Sequence, residues 1–231
     1  METMNPHTMY WIMFIGVAVI SYVVQILFQR KIDAASRCRL NMSGRDVAQK
    51  MLSDHGITNV RIISTNGRLT DNFNPSDMTV NLSEAVYDQY NAAAAAVAAH
   101  ECGHAVQHAT GYGPIRLRSA LVPVVSFASR AVTWVLLAGM FLINIFPQLM
   151  LFGIILFAMT TLFSFVTLPV EINASRRALA WLDRSGITDS ANHAAAEGAL
   201  RAAAYTYVVG ALSSLATLIY YILIFTSGRR N

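Results

Sequence analysis

Residues 131–170 run for forty positions without one charged side chain. As a single helix they would measure about 60 Å, twice the hydrocarbon thickness of a bilayer, so they predict two membrane spans folded back on each other. Asn144, Pro147 and Gln148 mark the turn, because proline cannot donate the helical hydrogen bond and the amides prefer the interface. Residues 9–28 form another charge-free run, with Tyr10 and Trp11 as anchors at one end and Arg30 and Lys31 at the other. Residues 205–225 supply a fourth span. Only 13% of the 231 residues are charged and 55% are hydrophobic, which excludes an ordinary soluble domain. Residues 1–8 carry no basic side chain and no small-residue cleavage pattern follows the first run, so an uncleaved span is expected rather than a signal peptide.

A two-span hairpin returns the chain to the side it left, so the segments flanking residues 131–170 share one membrane face. Fifteen of the seventeen Lys and Arg residues fall in the two segments that this arrangement places together, among them Arg116, Arg118, Arg176 and Arg177. That excess predicts the cytoplasmic face of a bacterial inner membrane, with Arg229 and Arg230 on the other side. The net charge of +4 therefore reflects orientation in a lipid bilayer and not a nucleic-acid partner. Cys38 and Cys102 have no C-x-x-C spacing, which argues against a disulfide framework or a Cys-rich zinc site.

Between the first span and the hairpin stands His100-Glu101-Cys102-Gly103-His104, preceded by an alanine-rich run. Alanine is the strongest helix former, Asn91 is an N-cap candidate and Gly111 a stop, so the motif is expected on a helix. There, residues four apart share a face, and His100 and His104 can both direct imidazole nitrogens at one ion. Glu101 beside them is placed to accept a proton from water and pass it to a leaving amine. Two packing histidines are the bland alternative, and the carboxylate between them argues against it. His108 lies one turn further. Three ligands at successive turns of a straight helix span about 12 Å, too far for bonds of about 2 Å, so His108 is expected to pack or support. Cys102 points away from the pair and reads as a small buried residue.

Catalytic zinc commonly takes three protein ligands and a water, so one more side chain must come from elsewhere. Glu171 directly follows the hairpin, on the face shared with the motif helix, and a carboxylate at the end of an apolar span calls for a cationic partner. The rivals are His193 with Glu197, Asp183 and Asp189; pairing of Glu171 with Arg176 or Arg177 is the non-metal alternative.

The segments Leu69-Thr70-Asp71, Asn74-Pro75, Leu82-Ser83, Ala98-Ala99-His100-Glu101 through His104-Ala105-Val106-Gln107, and Leu168-Pro169-Val170-Glu171 with Ala174-Ser175-Arg176-Arg177 resemble the YugP-type zinc-dependent membrane metallopeptidases over most of the chain. The resemblance implies a neutral, gluzincin-like zinc peptidase beside the membrane, with His100, His104 and Glu171 as ligands and Glu101 as base. The chain departs from the pattern in two places. Asn72-Phe73 replaces a His-Tyr pair, and Ser175 stands where many gluzincins have an Asp, so Ser175, Asn173 or a main-chain carbonyl is expected to orient a ligand histidine. An oxyanion donor is expected among Tyr207, Tyr205 and His193. Tyr207 is preferred for its place at the start of the last span and its Thr-Tyr context.

The polar region, residues 29–118, has further order. Ser43 and Asp46 form a capping box ahead of Val47, Met51 and Leu52, with Gly56 as the stop. Residues 60–63 and 78–82 read as strands separated by turns at Asn66-Gly67 and Asn74-Pro75, and an extended peptide is expected to pair with the edge of this sheet near Val80. A helical segment, residues 171–203, joins the hairpin to the last span. The expected molecule is thus a mostly α membrane protein with four transmembrane helices and a small α+β zincin-like part at the interface. Its expected activity is cleavage of membrane-associated or misfolded polypeptides. The competing readings are a site-2-type protease with its motif inside the bilayer, which the weakly hydrophobic alanines and the framing Gln89, Asn91 and Gln107 disfavour, and a non-catalytic metal-dependent scaffold, for which Glu101 has no evident use. The sequence leaves the oligomeric state open.

Overall fold

A computed structural model describes residues 6–228, with side chains from residue 11 to residue 226, so the Tyr10 side chain, Arg229 and Arg230 lie outside the described residues. In chain order the described elements are α1 (Pro6–Ser36), α2 (Gly44–Asp54), β1 (Arg61–Thr65), β2 (Asn72–Asn74), β3 (Thr79–Ser83), α3 (Glu84–Tyr87), α4 (Ala92–Ala109), α5 (Gly113–Phe141), α6 (Pro147–Ser185) and α7 (Ser190–Gly228). The helices α1, α5, α6 and α7 are each long and apolar enough to cross a membrane. The chain divides into two compact units, the first comprising Met1–Val23, Leu117–Thr167 and Tyr207–Asn231, the second Val24–Arg116 and Leu168–Thr206.

In the first unit the α5–α6 turn falls between Phe141 and Pro147, and Pro147 opens α6, where its missing N–H has no partner to lose. Gly139 lets the two arms touch: a Cβ there would lie 2.7 Å from the Met150 Cα. Small residues at such crossings bring membrane helices into close packing. Leu136, Met150 and Ile154 form the buried centre, Leu218 and Tyr221 of α7 pack on it, and the Ser164 and Ser214 hydroxyls meet at 3.3 Å. Lack of charge marks hydrocarbon depth and does not mark helix ends. α5 begins at Gly113 and keeps Arg116, Arg118 and Arg130 helical, while α6 continues past Val170 through a run of strong helix formers to Ser185. Gly186, at φ +67°, makes the break before α7.

The second unit is built around α4. The Asn91 side chain accepts from the Ala94 N–H at 2.9 Å, and Gly111, at φ +64°, ends the helix. α4 is buried on nearly every side, as a helix without a continuous polar face must be, and it packs against α2, α3, β2 and β3. Ser43 and Asp46 close the capping box of α2. In the sheet, β3 is central, parallel to β1 and antiparallel to β2. Val80 therefore lies in the middle strand and is fully buried, and the sheet edges are β1 and β2. β2 has no counterpart in the sequence reading because three residues, two of them asparagines, are too few to show alternation.

α4 meets α6 at Gly103. A Cβ at Gly103 would fall 2.7 Å from the Ala174 carbonyl oxygen, so the contact exists only for a residue without a side chain. Gly in a helix interior costs about 1 kcal/mol relative to Ala, and here close approach offsets that cost. Gly103→Ala is expected to destabilise the protein by about 1–3 kcal/mol through overpacking, whereas Gly113→Ala, with nothing within 4 Å of the new methyl, should be close to neutral. Thermal unfolding of both variants in detergent checks the contrast.

Candidate metal centre

The Gly103–Ala174 contact sets the motif helix against the turn of α6 that carries Glu171. His100 Nε2 lies 3.2 Å and His104 Nε2 3.5 Å from the same Glu171 oxygen, Oε2. All three potential ligand atoms lie within 4.8 Å of one another. Ligands about 2.1 Å from one tetrahedral ion are about 3.4 Å apart, so these two separations match the edge of a zinc coordination tetrahedron. Glu171 is only 3% exposed, Glu101 8% and His104 6%.

The partner of His104 fixes where its lone pair points. Gln107 Nε2 donates to the Val170 carbonyl at 2.8 Å and to Asn173 Oδ1 at 3.0 Å, which turns Gln107 Oε1 toward His104 Nδ1 at 3.0 Å. An oxygen in that position accepts, so Nδ1 carries the hydrogen and Nε2 presents its lone pair to Glu171. His100 Nδ1 meets the Ser175 hydroxyl at 3.1 Å. Neutral imidazole lone pairs facing a carboxylate oxygen repel it, and a shared cation relieves the conflict. A ring proton relieves it too. Burial alone would lower the His104 pKa, but Glu171 and Glu101 beside it outweigh burial and hold it above the ordinary imidazole value. The donor set therefore fits zinc by ligand type, spacing and ring orientation.

Glu101 is tied down from the sheet. The Phe73 backbone N–H donates to Glu101 Oε2 at 3.0 Å, across 28 residues of sequence. The Phe73 ring lies against His108, with centroids 5.7 Å apart and planes at 55°. His108 is thus outside the ligand group. Cys102 points the other way, its Sγ 3.6 Å from the Ala48 carbonyl; burial, with Glu101 nearby, pushes its thiol pKa well above the ordinary range and leaves it inert.

Three of the rivals for the third ligand position, His193, Glu197 and Asp189, are engaged elsewhere. His193 Nδ1 meets the Thr188 hydroxyl at 3.3 Å, Glu197 pairs with Arg201, and Asp189 accepts from the Asn192 N–H at 2.8 Å, near the start of α7. Arg177 Nε donates to Asn173 Oδ1 at 2.8 Å, extending the Gln107 network. Of the expected oriented partners, Ser175 contacts His100, and Asn173 reaches His104 through Gln107. Gln107 itself was not read as a partner of a ligand; its place three residues after His104 is the only sequence sign of it. Tyr207 belongs to the first unit and is 43% exposed, whereas His100, Glu101, His104 and Glu171 all belong to the second.

A family model described as "Putative neutral zinc metallopeptidase" matches residues 10–226. The "Putative membrane protease YugP" of Bacillus subtilis (strain 168) is 39% identical over 199 residues, covering 86% of each chain. No solved structure matches. The four apolar helices and this similarity to a membrane protease support an integral membrane protein. A match over residues 10–226, a range that includes the two histidines and the glutamate of the centre, places the chain in the family of neutral zinc metallopeptidases.

Proposed function

We propose that the protein is a zinc-dependent endopeptidase of the bacterial inner membrane, with His100, His104 and Glu171 as metal ligands, Glu101 as the proton acceptor and the site on the cytoplasmic face. The convergence of both Nε2 atoms on one Glu171 oxygen, at 3.2 and 3.5 Å, carries this reading. Zinc in such a site supplies a Lewis acid that brings the pKa of water toward about 7 and draws charge from a peptide carbonyl. Glu101, with Oε2 fixed by the Phe73 N–H, offers Oε1 to the proton of the attacking water and then hands that proton to the leaving amine. Gln107 and Ser175 keep the ligand rings in one orientation throughout. The three-residue strand β2 lies beside Glu101. Membrane-associated or misfolded chains, which expose extended segments, are the proposed substrates.

Glu101→Gln should retain stoichiometric zinc and lower cleavage of an unfolded polypeptide by about 10²–10⁴-fold. Wild type that binds zinc and cleaves no such substrate would leave a metal-dependent scaffold as the function. Zinc has to displace the proton that the raised His104 pKa favours, so its affinity should fall by about tenfold per unit as pH drops below that pKa; chelator competition between pH 6 and 8 measures this. In chelated protein the sign reverses: the stabilisation from protonated His104 is complete below its unfolded value and disappears as pH rises through the folded one. For orientation, Thr65→Cys in a background without Cys38 and Cys102 should react with an impermeant thiol reagent only after cells are permeabilised. Labelling of intact cells would reverse the assigned face.

A further inference from the structure

We infer that His108 is a positioning residue for the Glu101 carboxylate, acting through Phe73, an inference that rests on the proteolytic reading above. Glu101 and His108 are seven residues apart on α4, two turns along one face. The strand β2 is fastened to that face at both points: the Phe73 N–H reaches Glu101 Oε2 at 3.0 Å, and the Phe73 ring rests on the His108 imidazole at 5.7 Å between centroids. One residue thus links the proton acceptor to a histidine that is not among the ligands.

β2 needs such a fastening. It is three residues long, pairs along one side only, and places Phe73 opposite Val80. The loop before it buries little: Leu69, at φ +59°, is 81% exposed. Upstream, Asp71 accepts from the Ser83 N–H and hydroxyl at 2.7 and 3.0 Å, and Asn81 Nδ2 donates to Asn72 Oδ1 at 2.7 Å. These contacts set the strand against β3. They do not hold Phe73 against α4; its packing on the core and, at the far end of the ring contact, His108 do. With the ring seated, the N–H stays aimed at Oε2 and the carboxylate keeps Oε1 turned to the reacting water. With the ring unseated, β2 is free to lift and the carboxylate to rotate. The rings meet at a tilt of 55°, a packing of one aromatic ring on another, so another aromatic ring at position 108 should serve.

The test compares wild type, His108→Ala, His108→Phe, Phe73→Ala and the double alanine variant, all full-length, in detergent and zinc-loaded. Zinc content, kcat and KM on an unfolded polypeptide, and hydrogen exchange of the peptide covering residues 70–75 are read in each. His108→Ala should keep its zinc and KM, lower kcat about three- to tenfold and speed exchange of β2 by a similar factor. His108→Phe should restore both, and the double variant should be no worse than Phe73→Ala, in which the contact with His108 is already absent. Wild-type kcat and exchange in His108→Ala would overturn the inference. So would loss of zinc in that variant, additive losses in the double variant, or failure of His108→Phe to rescue, which would assign the role to a ring nitrogen. If wild type cleaves nothing, the proteolytic reading fails by itself, and exchange in β2 still decides whether His108 seats the strand.

Discussion

The centre depends on one steric allowance, the missing side chain at Gly103. With the Ala174 carbonyl 2.7 Å from where a Cβ would be, α4 and α6 approach to backbone contact. Glu171, three residues before Ala174, and Ser175, just after it, then fall within reach of His100, and Gln107 reaches the Val170 carbonyl at 2.8 Å. A separation one methyl wider would put the candidate ligand atoms outside the range in which a single ion with bonds of about 2 Å holds them all. The alanines of α4 serve the same end, since a helix buried on nearly every side must be thin to have several neighbours at once.

Around this contact, the imidazoles and the Glu101 carboxylate are constrained by different parts of the fold. His104 is oriented from within its own helix by Gln107, which is itself locked by α6; His100 is oriented by α6 directly; Glu101 is held by the sheet. The candidate ligands and the proposed proton acceptor thus answer to separate elements, and loosening one need not loosen the other. Support of this kind confers the preorganisation that hydrolysis requires, because the groups need no reordering as charge develops.

Much of this could be read without coordinates where the information is local or topological. Four-residue spacing put His100 and His104 on one face, Asn91 and Gly111 bounded the helix, and the return path of the hairpin nominated Glu171. Features that arise from approach between distant segments were not legible. Gln107 looks like an ordinary helix-framing polar residue until α6 lies against it, and β2 has too few residues to show a period. Apolar runs located four candidate spans but not the helix ends, since arginine and glutamate continue a helix as readily as leucine does. The edge of the sheet was misplaced for a similar reason: strand order is decided by β2, the strand that the pattern did not contain.

The outer partners of the two imidazoles, Ser175 and Gln107, are uncharged. The formal anions of the centre are then Glu171 and Glu101, and a divalent cation brings it to electroneutrality. Enclosing net charge in a poorly solvated place is expensive, so this balance selects the valence of the guest as firmly as the donor atoms select its chemistry. The same balance explains why His104 favours a proton when no metal competes: each added positive charge lessens the mutual repulsion of two carboxylates shielded from water.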